Sequence, residues 1–428
     1  MKLKKFKQTE IGIIPEEWKV EKLKELCIKI TDGSHFSPKT KPEGKLIATV
    51  KDMNEYGFNY ETCRRISEQD FNQLSKQDCK PKINDVLIAK DGSYLKHVFV
   101  TKKDEEIVIL SSIAIIRPNV EKITPHFLKY LFSDPITKQR VKSNYVSGAV
   151  IPRIVLKDFA KIDLPVPSIQ EQTSISKILS DLDSKIELNQ QMNKTLEAIG
   201  KAIFKRWFVD FEFPNEKGKP YKSSGGEMVD SEVGEIPKEW EFGEVIDEFN
   251  LTMGQSPPGN SYNYSGKGVA FFQGRTDFGF RYPTKRIFCT EPARFAEAGD
   301  TLVSVRAPVG DINMANEKCC IGRGVAAIHY KTSSRSYTYY SMQNLSGNFS
   351  NFEAEGTVFG SIGKTDFEQI KIIIPPEKLI NLFEKIVFGI DQKIESNSSS
   401  IVMLSQIRDS LLPRLMSGKI RVPVEVRT

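Results

Sequence analysis

Gly363-Lys364-Thr365 is the segment of this chain that comes nearest to a phosphate-binding loop. Such a loop reads Gly-x4-Gly-Lys-Ser/Thr and cradles phosphates with backbone amides. Its first glycine position holds Val358 here, and Gly356 and Gly360 miss the spacing, so the glycines read as turn formers. His35, His97, His126 and His329 lack zinc-ligand spacing. The six cysteines include no Cys-x-x-Cys pair, and the adjacent Cys319 and Cys320 cannot readily aim two thiols at one metal. No Asn/Asp-Pro-Pro-Tyr/Phe motif of an amino-methyltransferase is present, nor a Gly-x-Gly loop opening a Rossmann unit. No carboxylate pair stands out from solvated surface charge. The residue types support binding rather than catalysis, with no metal and no cofactor held by the chain.

Composition bounds what the bound partner could be. The chain has 428 residues, 27% of them charged, with a formal net charge of +6. That length suits two to four domains, and the mild basic excess hints at an anionic partner only if it gathers on one face. Cysteine usage fits a reducing compartment. The most apolar run, Ile107 to Ile116, is far too short to span a bilayer, and a cytoplasmic location is expected.

The chain repeats itself. Gly12-Ile-Ile-Pro15-Glu-Glu-Trp18 matches Gly234-Glu-Ile-Pro237-Lys-Glu-Trp240 at an offset of 234 − 12 = 222. Later, Gly148-Ala-Val150 matches Gly356-Thr-Val358, Asp158-Phe159 matches Asp366-Phe367, and Lys185-Ile-Glu187 matches Lys393-Ile-Glu395, each at 208. Asn84-Asp85 aligns with Gly299-Asp300 at 215. A falling offset is what loop deletions in the second copy produce.

Each copy closes on a long helix. Ile175, Ile178, Leu182, Met192, Leu196, Ile199 and Ile203 recur at heptad spacing, as do Phe383, Ile386, Ile390, Leu404, Ile407 and Leu411. Such stripes predict two helices paired antiparallel as a coiled coil, with Asn189 and Asn397 on the seam fixing register. The expected fold class is α+β: two strand-rich mixed α/β bodies separated by the helix pair, with a pseudo-twofold. The expected boundaries are 1–167 and 223–375 for the bodies, and 168–222 and 376–428 for the helices and linker.

This layout resembles the specificity subunit of type I restriction–modification systems. The Gly12 and Gly234 starts are similar to the opening of each target recognition domain, and Thr31-Asp-Gly-Ser-His35 is similar to a loop common in them. Pro165-Val-Pro167, Glu171-Gln172 and the helix closing with Trp207-Phe-Val-Asp-Phe211 resemble the central conserved region, and Leu411-Leu-Pro-Arg-Leu-Met-Ser-Gly418 the end of the distal one. In the second body, Gly254-Gln-Ser-Pro-Pro-Gly259, Phe272-Gln-Gly-Arg275, Ser304-Val-Arg-Ala-Pro-Val-Gly310 and Ile321-Gly-Arg-Gly324 resemble one subclass of recognition domain. The distal copy departs from the proximal one in having Leu379-Ile380 where the first has Glu171-Gln172.

The resemblance implies a non-catalytic reader of double-stranded DNA. Two methyltransferase subunits would dock on the helices and modify adenine with S-adenosylmethionine, and restriction subunits would join later. The target would be two short unlike sequences around an unspecified spacer, read in major grooves roughly 34 Å apart. Base reading draws on polar side chains at loops. The candidates are Thr31, Ser34, His35, Lys90, Ser93 and Arg153 in the first body. In the second they are Gln255, Ser256, Tyr262, Gln273, Arg275, Arg306, Arg323 and Lys364. Phe204, Trp207, Phe208 and Phe211 form either a methyltransferase-docking patch or packing beneath the following linker. The competing readings are a coiled-coil scaffold that binds only protein, and a methyltransferase or nuclease with degraded motifs.

Overall fold

The computed structural model describes residues 5–147, 152–350, 352 and 360–423. The matched segments Gly148–Val150 and Gly356–Val358 lie outside them. The chain divides into two compact units, one of residues 1–188 with 401–428 and the other of residues 189–400.

The two units are built alike despite their divergent sequences. In the first, a four-stranded antiparallel sheet runs in the order Cys27–Asp32, Ile113–Pro118, Val86–Ala89, Val98–Val100. In the second, Phe249–Met253, Val325–Tyr330, Thr301–Ser304 and Ile312–Met314 take the same order. The central strands Val86–Ala89 and Thr301–Ser304 are buried at every residue, as strands covered on both sides must be. A further sheet in each unit contains a parallel pair, Lys45–Ala48 with Ile107–Ile109 in one and Val269–Phe272 with Cys319–Ile321 in the other. Each unit also has a short opening hairpin, Phe6–Thr9 with Gly12–Pro15 and Met228–Ser231 with Gly234–Pro237. The tandem copies seen in the sequence are therefore copies of structure.

The two long helices are Ile169–Phe204 and Glu377–Met416, and each contributes to both units. The first unit's core takes Ile175 and Leu179 from one and Leu412, Leu415 and Met416 from the other. The second takes Phe204 from one and Ile380, Phe383 and Val387 from the other. Within the second unit the helices meet antiparallel: Asn397 Nδ2 donates to Asn193 Oδ1 at 2.9 Å, and Asn193 Nδ2 to Ser398 Oγ at 3.2 Å.

The buried stripe differs from the apolar one. Leu179, Asp183, Asn193, Glu197 and Phe204 are buried, each one residue beyond Ile178, Leu182, Met192, Leu196 and Ile203. One residue is about 100° of helix rotation. The seam carries polar groups because the two bodies supply their partners, a fact that hydropathy along the helix cannot register. Asn189 and Asn397 are both buried, and the amide that Asn397 meets belongs to Asn193.

Glu171 and Gln172 tie the first body to its helix. Glu171 accepts from Trp18 Nε1 at 3.1 Å and from Arg421 Nε at 2.6 Å, while Gln172 bonds the backbone at Thr124 and Lys122. Their counterparts Leu379 and Ile380 lie in the second unit's apolar core, so the same position is held by hydrophobic packing there.

Candidate nucleic-acid interface

In the first unit, strand-end loops converge where Cys27–Asp32 and Val86–Ala89 terminate. The loop after Asp32 is clamped: Gly33 N donates to Ile113 O and Ser34 N to Ile109 O. A Cβ on Gly33 would stand 2.1 Å from the Ile109 carbonyl oxygen, which only glycine permits. The Asp91–Ser93 loop is zipped to the other side, with Gly92 N donating to Pro152 O and Ile154 N to Lys90 O.

These contacts sort the candidates. His35 is exposed, with Nε2 3.5 Å from Asp32 Oδ2, and Ser93 and Arg153 are exposed beside it. Thr31 is half-buried within its strand, paired with Ile115. Two assignments are corrected. Lys90 is buried, with its ammonium 3.2 Å from Asp32 and 3.4 Å from Asp91, so the pull of two carboxylates holds it inside and it positions the loop. Ser34 is buried too, its hydroxyl donating to Phe36 O at 2.8 Å and accepting from Phe36 N at 3.1 Å. It shapes the turn that carries His35 and Phe36.

In the second unit five loops interlock through the backbone. Gln255 N donates to Ile321 O, Gly322 N to Phe272 O, and Val305 N to Gly324 O. Ile362 N donates to Val305 O, and Arg306 bridges to Ser361. This brings Gln255, Gln273, Arg275, Arg306, Arg323 and Lys364 onto neighbouring loops, all six exposed. Arg275 Nε lies 2.7 Å from Asp311, and Lys364 is 3.4 Å from Glu368. Ser256 is half-buried, and its hydroxyl accepts from Arg323 N at 3.4 Å. Tyr262 is corrected to a structural role, because its hydroxyl donates to Pro257 O at 3.0 Å while its ring packs on Phe271.

Asp277, absent from the sequence-derived candidates, fixes this array. Its carboxylate is fully buried, accepting from Gln273 N at 2.7 Å and from Arg286 Nε at 3.0 Å. An Asp four residues after Gln273 was the available signal, but nothing in sequence distinguishes it from a surface carboxylate.

The aromatic patch also needs correction. Phe204, Trp207, Phe208 and Phe211 are only 6–7% exposed. They pack inside the second unit: Phe208 lies 5.2 Å from Phe383 and 5.3 Å from Tyr337, and Phe211 lies 5.3 Å from Trp240. The burial of aromatic area makes them core, as the packing alternative holds.

Apolar side chains also stay exposed along the helices, among them Leu188, Phe388, Val402 and Met403 and four isoleucines. The first unit shows Ile178 and Ile407, and the second shows Ile386 and Ile199, each 38–46% exposed. Since 386 − 178 = 208 and 407 − 199 = 208, these are equivalent positions of the two copies.

Among the described residues no cluster of three or more His, Cys, Asp or Glu could hold a metal ion, and no helix is long and apolar enough to cross a membrane. Cys319 and Cys320 are fully buried in their strand, and burial pushes the Cys319 thiol up to about 12.

A model of the type I restriction modification DNA specificity domain matches residues 15–198 and again 237–394. A specificity subunit assigned to the type I restriction enzyme MjaX of Methanocaldococcus jannaschii is 31% identical, over 97% of each chain. The HindI specificity subunit of Haemophilus influenzae is 25% identical over 76% of this chain and 84% of its own. The crystal structure of the S subunit of a type I restriction–modification system from M. genitalium superposes with a TM-score of 0.58 at 16% identity, covering 93% of this chain and 96% of that one. The duplicated match falls on the duplicated fold, and the chain belongs to the family of type I restriction–modification DNA specificity subunits, the non-catalytic components that recognise DNA sequence.

Proposed function

We propose that each unit reads one short DNA sequence, so that the chain selects a bipartite asymmetric target with an unspecified spacer. The observation that carries this reading is the shared four-stranded sheet bearing unlike side chains at corresponding loop ends. His35, Ser93 and Arg153 crown one sheet, and Gln255, Gln273, Arg275, Arg306 and Arg323 crown the other. Arginine and glutamine offer paired hydrogen bonds to guanine and adenine edges, and histidine and serine offer single ones. Unlike sets select unlike sequences.

The exposed isoleucines at equivalent helix positions supply the second part of the reading. Each unit presents one from either helix, which suits one methyltransferase subunit per unit, hence two per chain. Those partners would bind S-adenosylmethionine and modify adenine, and restriction subunits would join the assembly in the cytoplasm.

Sequencing modified bases in cells that express the chain with its neighbouring methyltransferase gene tests this. The expected result is adenine methylation in one bipartite motif, with a single half changing when residues 1–150 are exchanged for those of a relative. A stable complex with neither methylation nor duplex binding at low salt, where phosphate contacts are strongest, would instead favour a protein-only scaffold.

A further inference from the structure

Phe36 is 65% exposed, at the reading end of the first unit, where an apolar ring gains nothing from water. Among that unit's exposed aromatic residues it projects furthest, ahead of Tyr60 at 42% and Phe6 at 40%. Its backbone is fixed from both sides. The Ser34 hydroxyl bonds both Phe36 N and Phe36 O, Ser34 pairs with Leu110, and Gly33 is pressed against Ile109. Just beyond, Arg64 Nη2 donates to Ser37 Oγ at 2.8 Å. The turn thus holds the ring outward at little entropic cost on binding.

The preceding residue, His35, is an exposed hydrogen-bonding group, and Lys90 ties Asp32 of this turn to the Asp91–Ser93 loop, where Ser93 and the Asp91-bridged Arg153 are exposed as well. Such groups match base edges in the major groove, where the one apolar feature is the C5-methyl of thymine. We infer that Phe36 is a specificity-determining residue of the first half-site and packs on a thymine methyl. The inference rests on the reading of the first unit as a DNA reader and adds the base that one residue selects.

The experiment uses the chain assembled with its methyltransferase partner and duplexes bearing the methylated motif. Each thymine of the first half-site is replaced singly by deoxyuridine, which removes only the methyl. Binding is measured for the wild-type chain, Phe36→Ala and Phe36→Leu. One deoxyuridine is expected to weaken wild-type binding about fourfold, the worth of one buried methyl group. The same replacement should leave Phe36→Ala binding unchanged, with Phe36→Leu intermediate. Thymines of the second half-site serve as the internal control.

Additive losses from Phe36→Ala and every deoxyuridine would overturn the contact. So would a Phe36→Ala chain that binds as tightly as wild type, or a first half-site lacking thymine on both strands. Loss from Phe36→Ala that ignores every methyl would mean that the ring unstacks a base step or meets a partner protein. If no bipartite motif is methylated or bound at all, the reading of the unit as a DNA reader fails first, which is a different result from a motif that is recognised but indifferent to Phe36.

Discussion

Asp183 and Asp391 stand 391 − 183 = 208 residues apart, at the same position of the two long helices, and each is the buried acceptor of a different cation. Asp183 accepts from Lys129 Nζ at 2.5 Å, Tyr130 Oη at 2.7 Å and Arg408 Nη1 at 3.0 Å. Burial alone would raise its pKa, and these partners together hold it below the ordinary carboxylate value. Asp391 accepts from Arg281 Nη1 at 3.0 Å and Tyr340 Oη at 3.2 Å. The helix arginine of the first unit, Arg408, has Gly200 as its counterpart, where a Cβ would stand 2.2 Å from the Tyr340 hydroxyl. One unit draws its guanidinium from the helix and the other from the body. The helix position is kept while the bodies that plug into it differ.

Arg281 is completely buried, 3.8 Å over the Tyr339 ring and 3.4 Å from Glu197. Arg281→Met keeps most of its bulk but leaves Asp391 and Glu197 buried without their cation. A broken buried pair costs about 3–5 kcal/mol, so the unfolding free energy should fall by that much, read as a lower denaturant midpoint, and adding Asp391→Asn should restore part of it. A single variant as stable as wild type would show that Asp391 has no need of the guanidinium.

Glu248 gives a pH dependence of definite sign. Its Oε2 is buried without a hydrogen-bond partner among the described residues. Burial first, then the nearby Asp247, Glu241 and Glu377, push its pKa up to about 7, against the pull of Lys331. A carboxyl whose folded pKa is raised contributes its stability below its ordinary value of 4.5 and loses it as pH rises through about 7. Glu248→Gln should therefore melt higher than wild type at pH 8, with the gap closing by pH 5. A gap of equal size at both pH values would remove Glu248 from the account.

The reading loops separate by half-site. Arg323→Ala or Arg306→Ala should relax base preference in the second half of the methylated motif and leave the first intact, while Arg153→Ala should do the reverse. A bidentate arginine–guanine contact is worth about 1–3 kcal/mol, so discrimination at the affected base should drop roughly tenfold or more. Uniform weakening across all sequences would make the residue a phosphate contact instead.

How far the sequence could carry these conclusions depends on what kind of feature is asked about. Matched Gly-x-x-Pro-x-x-Trp openings and paired helices are local patterns, and they foretold two tandem bodies; the strand order the bodies share emerges only in the fold. Arg306 and Arg323 could be picked out because glycine and proline around them mark exposed turns. Lys90 could not be assigned, since its fate rests on Asp32, 58 residues away and 3.2 Å distant in the fold. Part of the helix seam was misplaced by one residue for a related reason, whereas Ile175, Asn189, Phe383 and Asn397 are buried on it as expected. Asp183, Glu197 and Asp391 look like surface charges until Lys129, Arg281 and Arg408 arrive from other elements. Phe204 to Phe211 resemble an exposed patch until Phe383, Tyr337 and Trp240 are brought against them.

The rotation of that seam leaves aliphatic groups facing outward, and it sets the last expectation. Ile178 and Ile407 in one unit, and Ile386 and Ile199 in the other, contribute little to the folded chain because they are exposed. Their replacement should move its stability by no more than about 0.5 kcal/mol. If they are where methyltransferase subunits dock, Ile178→Glu with Ile407→Glu should reduce the mass of the assembled complex by one subunit. Ile386→Glu with Ile199→Glu should remove the other, and all four together should leave the chain alone. Native mass spectrometry counts these species directly. Because a partner interface concentrates its energy in a few buried apolar anchors, a charge at each anchor is a severe test. Full assembly by the fourfold variant would place the docking surface elsewhere on the chain.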